Sequence, residues 1–172
     1  MSQSNQVTIR PRNPSDIPTL IQILTQVHHL TGYPVDGPST FFKKLQPANA
    51  LQSIVALFNE NLAGHAQIQT TSGLNPAVIE YITASRPIES FASLVSLFVD
   101  PSIQGKGIGA RLVEEALIWS RREGKRLVLV VLDKDQAAIR MYDRMGWERG
   151  VEYVYESIQG VRYRTFVYLS PV

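Results

Sequence analysis

Residues 104–109 read Gln104-Gly105-Lys106-Gly107-Ile108-Gly109, and the fold turns on what flanks them. Upstream, Leu94 to Val99 is an apolar run that stops at Asp100-Pro101, as a strand does where proline supplies no N–H. Downstream, from Gly107 to Glu123, the residues Ile108, Leu112, Val113, Ala116 and Leu117 recur at helical spacing, opposite Arg111, Glu114, Glu115 and Arg122. Gly124 fits the stop of that helix. Leu127 to Leu132 is then apolar without alternation, as expected of a strand covered on both faces. Strand, helix and strand in this order make a right-handed parallel crossover, with the glycines where the first strand gives way to the helix.

That position has a chemical meaning. A helix start leaves about four N–H groups without intrahelical partners and carries roughly half a positive charge, so an anion docked there satisfies donors and field together. Phosphate is the obvious guest. Glycines at 105, 107 and 109 let the backbone come close to it, and Lys106 adds a long-stemmed cation. The dinucleotide fingerprint G-x-G-x-x-G fails here because the third glycine comes one residue early. The P-loop fails because Lys106 is followed by Gly107, not Ser or Thr.

Working outward, Val7 to Arg12 reads as a strand, and Asn13-Pro14-Ser15-Asp16 opens a helix through Ile17, Leu20, Ile21, Leu24 and Val27. Thr31 to Pro38, dense in Gly and Pro, is a loop with an exposed aromatic, Tyr33, ahead of a short helix at Phe41 to Leu45. Leu51 to Phe58 and Leu62 to Gln69 form a hairpin through Asn59-Glu60-Asn61, and alternation sets His65, Gln67 and Gln69 on the wetter face of the second strand. Val78 to Thr83 reads as a further strand. Gln136 to Met145 is a helix with Ala138, Met141, Tyr142 and Met145 on one side, closed by Gly146. Val151 to Ser157 and Val161 to Leu169 pair through Gln159-Gly160. The expected fold is a mixed α/β sheet with helices on both faces.

With 172 residues, one domain over 1–172 is expected, residues 1–6 forming a flexible terminus. Lys and Arg number 17 against 15 Asp and Glu, a net charge of +2, too weak an excess to suggest a nucleic-acid partner. The pairs Arg121-Arg122 and Lys125-Arg126, with Arg162, fit a solvated face. The absence of Cys excludes disulfides, thiolate zinc sites and a cysteine nucleophile. Three His without paired-ligand spacing give no metal site. No secretory leader or membrane-length apolar run is present, so a soluble cytoplasmic protein with no membrane partner is expected.

The segment Gln104 to Gly109 resembles the acetyl-CoA signature of the GNAT superfamily of N-acetyltransferases, Gln/Arg-x-x-Gly-x-Gly/Ala. Asp135 to Trp147 is similar to the family's Asn-x-x-Ala-x-x-Phe-Tyr-x-Lys-x-Gly-Phe segment, and the element order from Val7 to Leu169 agrees with the family. The resemblance implies a mostly antiparallel sheet whose parallel strand pair splays apart to admit the pantetheine arm of acetyl-CoA. The coenzyme would then meet Leu97, Phe98 and Val99, Gln104, Gly105, Lys106, Gly107, Ile108, Gly109 and Ala110, and also Asp135, Ala138 and Tyr142. Backbone groups of Leu97 and Val99 would bond the pantetheine, and amides of Gly105 to Ala110 the pyrophosphate. The Val99 N–H would polarise the thioester carbonyl, and Tyr142 would protonate the leaving thiolate as general acid. Asp135 stands where the family has Asn, so a side-chain amide donor is lost there.

Direct transfer to the primary amine of a small molecule is the expected activity. A protein or peptide amine is the rival acceptor, and a coenzyme sensor without turnover the rival of another class. In relatives an acidic residue precedes the Leu-Phe-Val of the strand; here Val95-Ser96 stands there. Candidates to contact the acceptor or take its proton are therefore Tyr33, Asp36, His65, Glu89 and Ser96, with Glu80 also considered. A homodimer is compatible with all of this. The plainer readings stand beside these: the glycines as a tight turn, and Tyr142 as a core tyrosine.

Overall fold

The computed structural model describes residues 5–172. Seven strands and five α-helices follow in the order β1 (Val7–Pro11), α1 (Ile17–Thr31), α2 (Phe41–Leu45), β2 (Ala50–Phe58), β3 (Asn61–Gln69), α3 (Pro76–Thr83), β4 (Phe91–Val99), α4 (Ile108–Glu123), β5 (Arg126–Leu132), α5 (Gln136–Arg144), β6 (Glu148–Glu156) and β7 (Arg162–Leu169). The sheet order is β1-β2-β3-β4-β5-β7-β6. The β1–β2, β5–β7 and β6–β7 pairs are antiparallel, whereas β4 and β5 are parallel, in register at Phe91–Ser93 with Arg126–Val128. A mixed, mostly antiparallel α/β fold is thus what the chain adopts.

The described residues divide into two compact units: those up to 68 with 95–116, and 69–94 with 117–172. Each is assembled from two stretches of sequence, and β4 and α4 both run from one unit into the other. Of the terminus expected to be flexible, residues 1–4 lie outside the described residues; Gln6 accepts a hydrogen bond from the Asn59 N–H at 3.0 Å.

In the first unit, α1 buries Ile17, Leu20, Ile23, Leu24 and Val27 against Phe41, Leu45, Val55 and Phe98. The helix ends at Gly32, whose φ of +75° lets its N–H return to the His28 carbonyl. Tyr33, expected to be exposed, is half-buried and packs on this same cluster. The β2–β3 hairpin turns on Asn59 and Glu60, both left-handed at φ +48° and +71°, which suits the right-handed twist of the flanking strands.

In the second unit, Val78 and Ile82 join Phe91, Val128, Val167 and Leu169. Val78 to Thr83 is helical, correcting the expected strand. Asn75 Oδ1 accepts the Ala77 N–H at 2.9 Å as an N-cap and Pro76 takes the first turn, so the buried pair follows a four-residue period, not two. The β5 run also differs from expectation: Val130 is exposed although its neighbours are buried. Tyr155 faces Tyr163 across the β6–β7 ladder, and Tyr153 packs on the apolar cluster.

Candidate functional site

At the end of β4, Asp100 caps the following turn, its carboxylate accepting from both the N–H and the hydroxyl of Ser102 (2.9 and 2.7 Å). The chain then opens. Gln104, Gly105, Lys106 and Gly107 are exposed, Gly109 and Ala110 are half-exposed, and Ile108 alone turns inward. Gly105 and Gly107 hold φ of +81° and +73°, and a Cβ on either would meet nothing within 4 Å. They serve backbone conformation and access, not close packing. The first bond of α4 is given by the Arg111 N–H to the Gly107 carbonyl at 3.1 Å, and no backbone acceptor takes the amides of residues 105–110 among the described residues. Lys106 makes no ion pair among them. Open amides, a free cation and a helix dipole of the right sign make this end of the first unit suited to an anion.

Behind that loop, β4 carries an irregularity the sequence did not announce. Ser96, in mid-strand, has φ +52°, a left-handed step that costs a residue with a side chain about 1 kcal/mol and is typical of bulges. Residues 63–65 of β3 grip the strand around it. The Ala63 carbonyl accepts the Asp100 N–H at 2.7 Å, a Cβ at Gly64 would lie 2.9 Å from the Phe98 carbonyl, and His65 Nδ1 lies 2.8 Å from the Ser96 carbonyl. His65 also stacks on Phe98, ring centroids 5.3 Å apart.

His65 and Gln67 correct the expected wet face of β3, since both are completely buried. Gln67 donates to the Leu45 carbonyl and to Ser53 Oγ; Arg12 Nη1 donates to Leu45 O and lies 3.1 Å from His65 Nε2. Polar side chains tolerate this depth because each finds a partner. Burial pushes the His65 pKa down to about 4, and burial likewise lowers that of Arg12. Nearby Asp16 takes both terminal nitrogens of Arg10 (2.8 and 2.9 Å), a pairing that holds its carboxyl below the usual range.

Of the other candidate acceptor contacts, Asp36 is buried and 3.8 Å from the Lys44 ammonium. His65 and Ser96 are brought together. Glu89 belongs to the second unit and is exposed, its carbonyl accepting from Lys125 Nζ at 2.6 Å. Glu80 is exposed on α3.

In the second unit, Asp135 precedes α5 without capping it; its carboxylate pairs with Lys134 at 2.8 Å. Ala138 is half-exposed. Tyr142 is buried, its ring 5.4 Å from Trp147 and 5.9 Å from Tyr168. The Tyr168 hydroxyl donates to Asp143 and accepts from Arg149 Nε, both at 2.9 Å. Among the cations considered for nucleic acid, Arg122 pairs with Glu123 and Arg126 with Glu148. No three His, Asp or Glu gather as a metal site, and no helix is long and apolar enough to cross a membrane, among the described residues.

A strand ending in an amide-rich glycine loop, with a parallel crossover behind it, can be compared with known proteins. Residues 22–147 match the model of the Acetyltransferase (GNAT) family. The chain belongs to that family. As a GNAT acetyltransferase it is 38% identical over 58 residues to an N-acetyltransferase of Methanocaldococcus jannaschii, a match covering 33% of this chain and 26% of that protein. It is 37% identical over 62 residues to the mycothiol acetyltransferase of Geodermatophilus obscurus, covering 36% of this chain and 20% of that one. These matches span about a quarter of the relatives' length or less. In fold it is similar to the ribosomal-protein-S18-alanine N-acetyltransferase of Escherichia coli, with TM-score 0.69, 22% identity, and 97% and 94% of the two chains covered. It is also similar to Arabidopsis thaliana NAA60 solved with acetyl-CoA, with TM-score 0.71, 19% identity and 95% and 97% covered.

Arg12 and the Ser96 conformation are the parts of this GNAT chain that reading the sequence missed. A left-handed serine has no compositional mark, and an arginine just after a strand reads as surface. The one available signal was the pair His65 and Gln67 amid apolar neighbours.

Proposed function

We propose that this chain moves the acetyl group of acetyl-CoA directly to a primary amine of a small molecule. The observation that carries the reading is the open loop at residues 104–110, with unengaged amides and two left-handed glycines whose Cβ space is empty. The residues present fit a diphosphate: N–H groups of 105–110 bind it and Lys106 screens its charge. Acetyl-CoA supplies an acyl group activated as a thioester. Leu97 and Val99 offer backbone groups to the pantetheine beside Phe98, and the Val99 N–H donates to the carbonyl oxygen as negative charge develops there. Asp135 and Ala138 are the further coenzyme contacts that the family resemblance assigns in this reading.

Tyr142 is the general acid. A phenol keeps its proton at neutral pH and can give it to a departing thiolate. With no cysteine to carry the acyl group, transfer is direct in this reading: the acceptor nitrogen attacks the acetyl carbonyl, the C–S bond breaks, and the sulfur takes the Tyr142 proton. The proton of the attacking amine leaves to water, since Val95-Ser96 offers no carboxylate. Both units belong to one catalytic domain in this reading, because each is built from two separated stretches of chain.

A small acceptor is favoured by the segment Tyr33 to Gly37, which is packed down. Tyr33 lies on the α1 core, and Asp36 is buried beside Lys44. A peptide amine is the second reading, supported by the likeness in fold to an enzyme named for acetylating a ribosomal protein's alanine. Calorimetry with CoA, followed by thiol release across small amines and N-terminal peptides from pH 6 to 9, tests both. Turnover with amines alone is expected. Turnover with peptides alone selects the second reading, binding without release selects a sensor, and flat titrations remove the coenzyme site. Tyr142→Phe is expected to lower kcat by about 100-fold with acetyl-CoA affinity nearly unchanged. An unchanged kcat takes Tyr142 out of the mechanism.

A further inference from the structure

His65 is unlike the other ionisable groups of the first unit. It is completely buried, and both ring nitrogens are committed: Nδ1 to the Ser96 carbonyl at 2.8 Å, Nε2 to Arg12 Nη1 at 3.1 Å. A carbonyl only accepts, so Nδ1 carries the hydrogen. A guanidinium only donates, so Nε2 presents its lone pair. Two independent partners therefore specify one neutral tautomer. The charged groups near the ring are Arg12, after β1, and Asp16, before α1; β4 contributes the Phe98 ring and the Ser96 carbonyl. Burial, with its pKa near 4, keeps the imidazole uncharged at neutral pH. It has no lone pair left for a substrate proton.

We propose that His65 is a positioning residue: by holding the Ser96 carbonyl, it fixes the left-handed step that turns the backbone of Leu97 to Val99 toward the coenzyme thioester. A serine at φ +52° in mid-strand relaxes toward the extended region unless something holds it, and relaxation would rotate the peptide groups that follow. The neighbouring contacts, Ala63 O to the Asp100 N–H and Gly64 against the Phe98 carbonyl, clamp the far end of that stretch. The His65 bond clamps the near end. Arg12 acts at one remove, by fixing the tautomer. The inference rests on the acetyltransferase reading above for what residues 97–99 address, but the lock itself is a property of the fold.

The test uses the full chain. His65→Leu is expected to lower kcat about tenfold and weaken CoA binding about tenfold, with the pH profile unchanged in shape. Asn places a donor near the Nδ1 position, so His65→Asn restores most of the loss. Ser96→Gly placed on His65→Leu also restores it, because glycine adopts the left-handed step unaided. Failure of both rescues, or loss of the acid limb of the kcat/KM profile in His65→Leu, overturns the proposal in favour of a proton-transfer role. Should His65→Leu fail to fold, imidazole ¹⁵N shifts of the wild-type protein decide. One Nδ1–H tautomer from pH 6 to 8 is expected, and an imidazole titrating in that window overturns the lock. Wild-type protein that neither binds CoA nor releases thiol breaks the acetyltransferase reading instead, and leaves the tautomer measurement to judge the lock.

Discussion

Gly107 and Ser96 stand eleven residues apart, and both adopt the left-handed region, at φ +73° and +52°. Gly107 sits in an open loop with empty space around it; Ser96 sits in a strand under a buried histidine. The first conformation comes from residue type, since a glycine pays no Cβ penalty. The second is imposed from outside, by a hydrogen bond from a residue thirty-one positions away in sequence. A backbone feature needed to expose amides to a ligand is thus made locally, whereas one needed to aim a buried strand is made by tertiary contact. The two should respond differently to substitution and to pH.

The largest effect is expected at the local end. Gly107→Glu puts a side chain at a left-handed position and a negative charge at the proposed phosphate site, and should weaken CoA binding at least about 100-fold by calorimetry, against a stability loss of only about 1 kcal/mol from the backbone strain. Retained affinity would move the coenzyme away from this loop.

At the tertiary end the expected signature is pH. His65 has an ordinary pKa of 6.5 when unfolded and about 4 when folded, so the folded state binds fewer protons between these values. Stability is then fully present above pH 6.5 and falls as pH drops toward 4, by about 3 kcal/mol in all. Asp16, lowered by Arg10, adds its own loss only below the ordinary carboxylate range. Urea melts from pH 7 to 4 check the slope, which His65→Leu should flatten. A wild-type slope that survives in that variant would assign it to other groups.

The smallest effect sharpens the contrast most. Ser96→Gly relieves the left-handed strain while adding freedom to the unfolded chain, so its unfolding free energy should lie within about 0.5 kcal/mol of wild type. Ser93→Gly, at a regular ladder position of the same strand, should cost about 1 kcal/mol or more. Equal costs at the two positions would mean that Ser96 carries no strain.

Which parts could be read in advance follows the same division. The glycine loop, its helix and the α5 segment were legible because their signals are short-range: glycine at the turn, apolar residues at helical spacing, a glycine stop. The α3 helix was read as a strand because its apolar residues Val78 and Ile82 also fit a short strand; the structure shows Asn75 capping it as a helix. Alternation in β3 was real, yet assigning its polar side to water was not. His65 and Gln67 lie inside because Arg12, Leu45, Ser53 and Ser96 meet them there. Tyr33 and Asp36 were placed in a loop correctly, and their burial depended on α1 and α2 closing over them.

By itself, then, the order of residues determined where the backbone could expose unpaired amides, which segments were strands on either side, and that no thiol could carry an acyl group. These depend on sterics and composition within a few positions of chain. Only the tertiary structure decided that a histidine forty residues before the loop would be neutral, dry and bonded to a left-handed serine. Desolvation and a hydrogen bond between distant residues exist only once the strands that carry them are packed together.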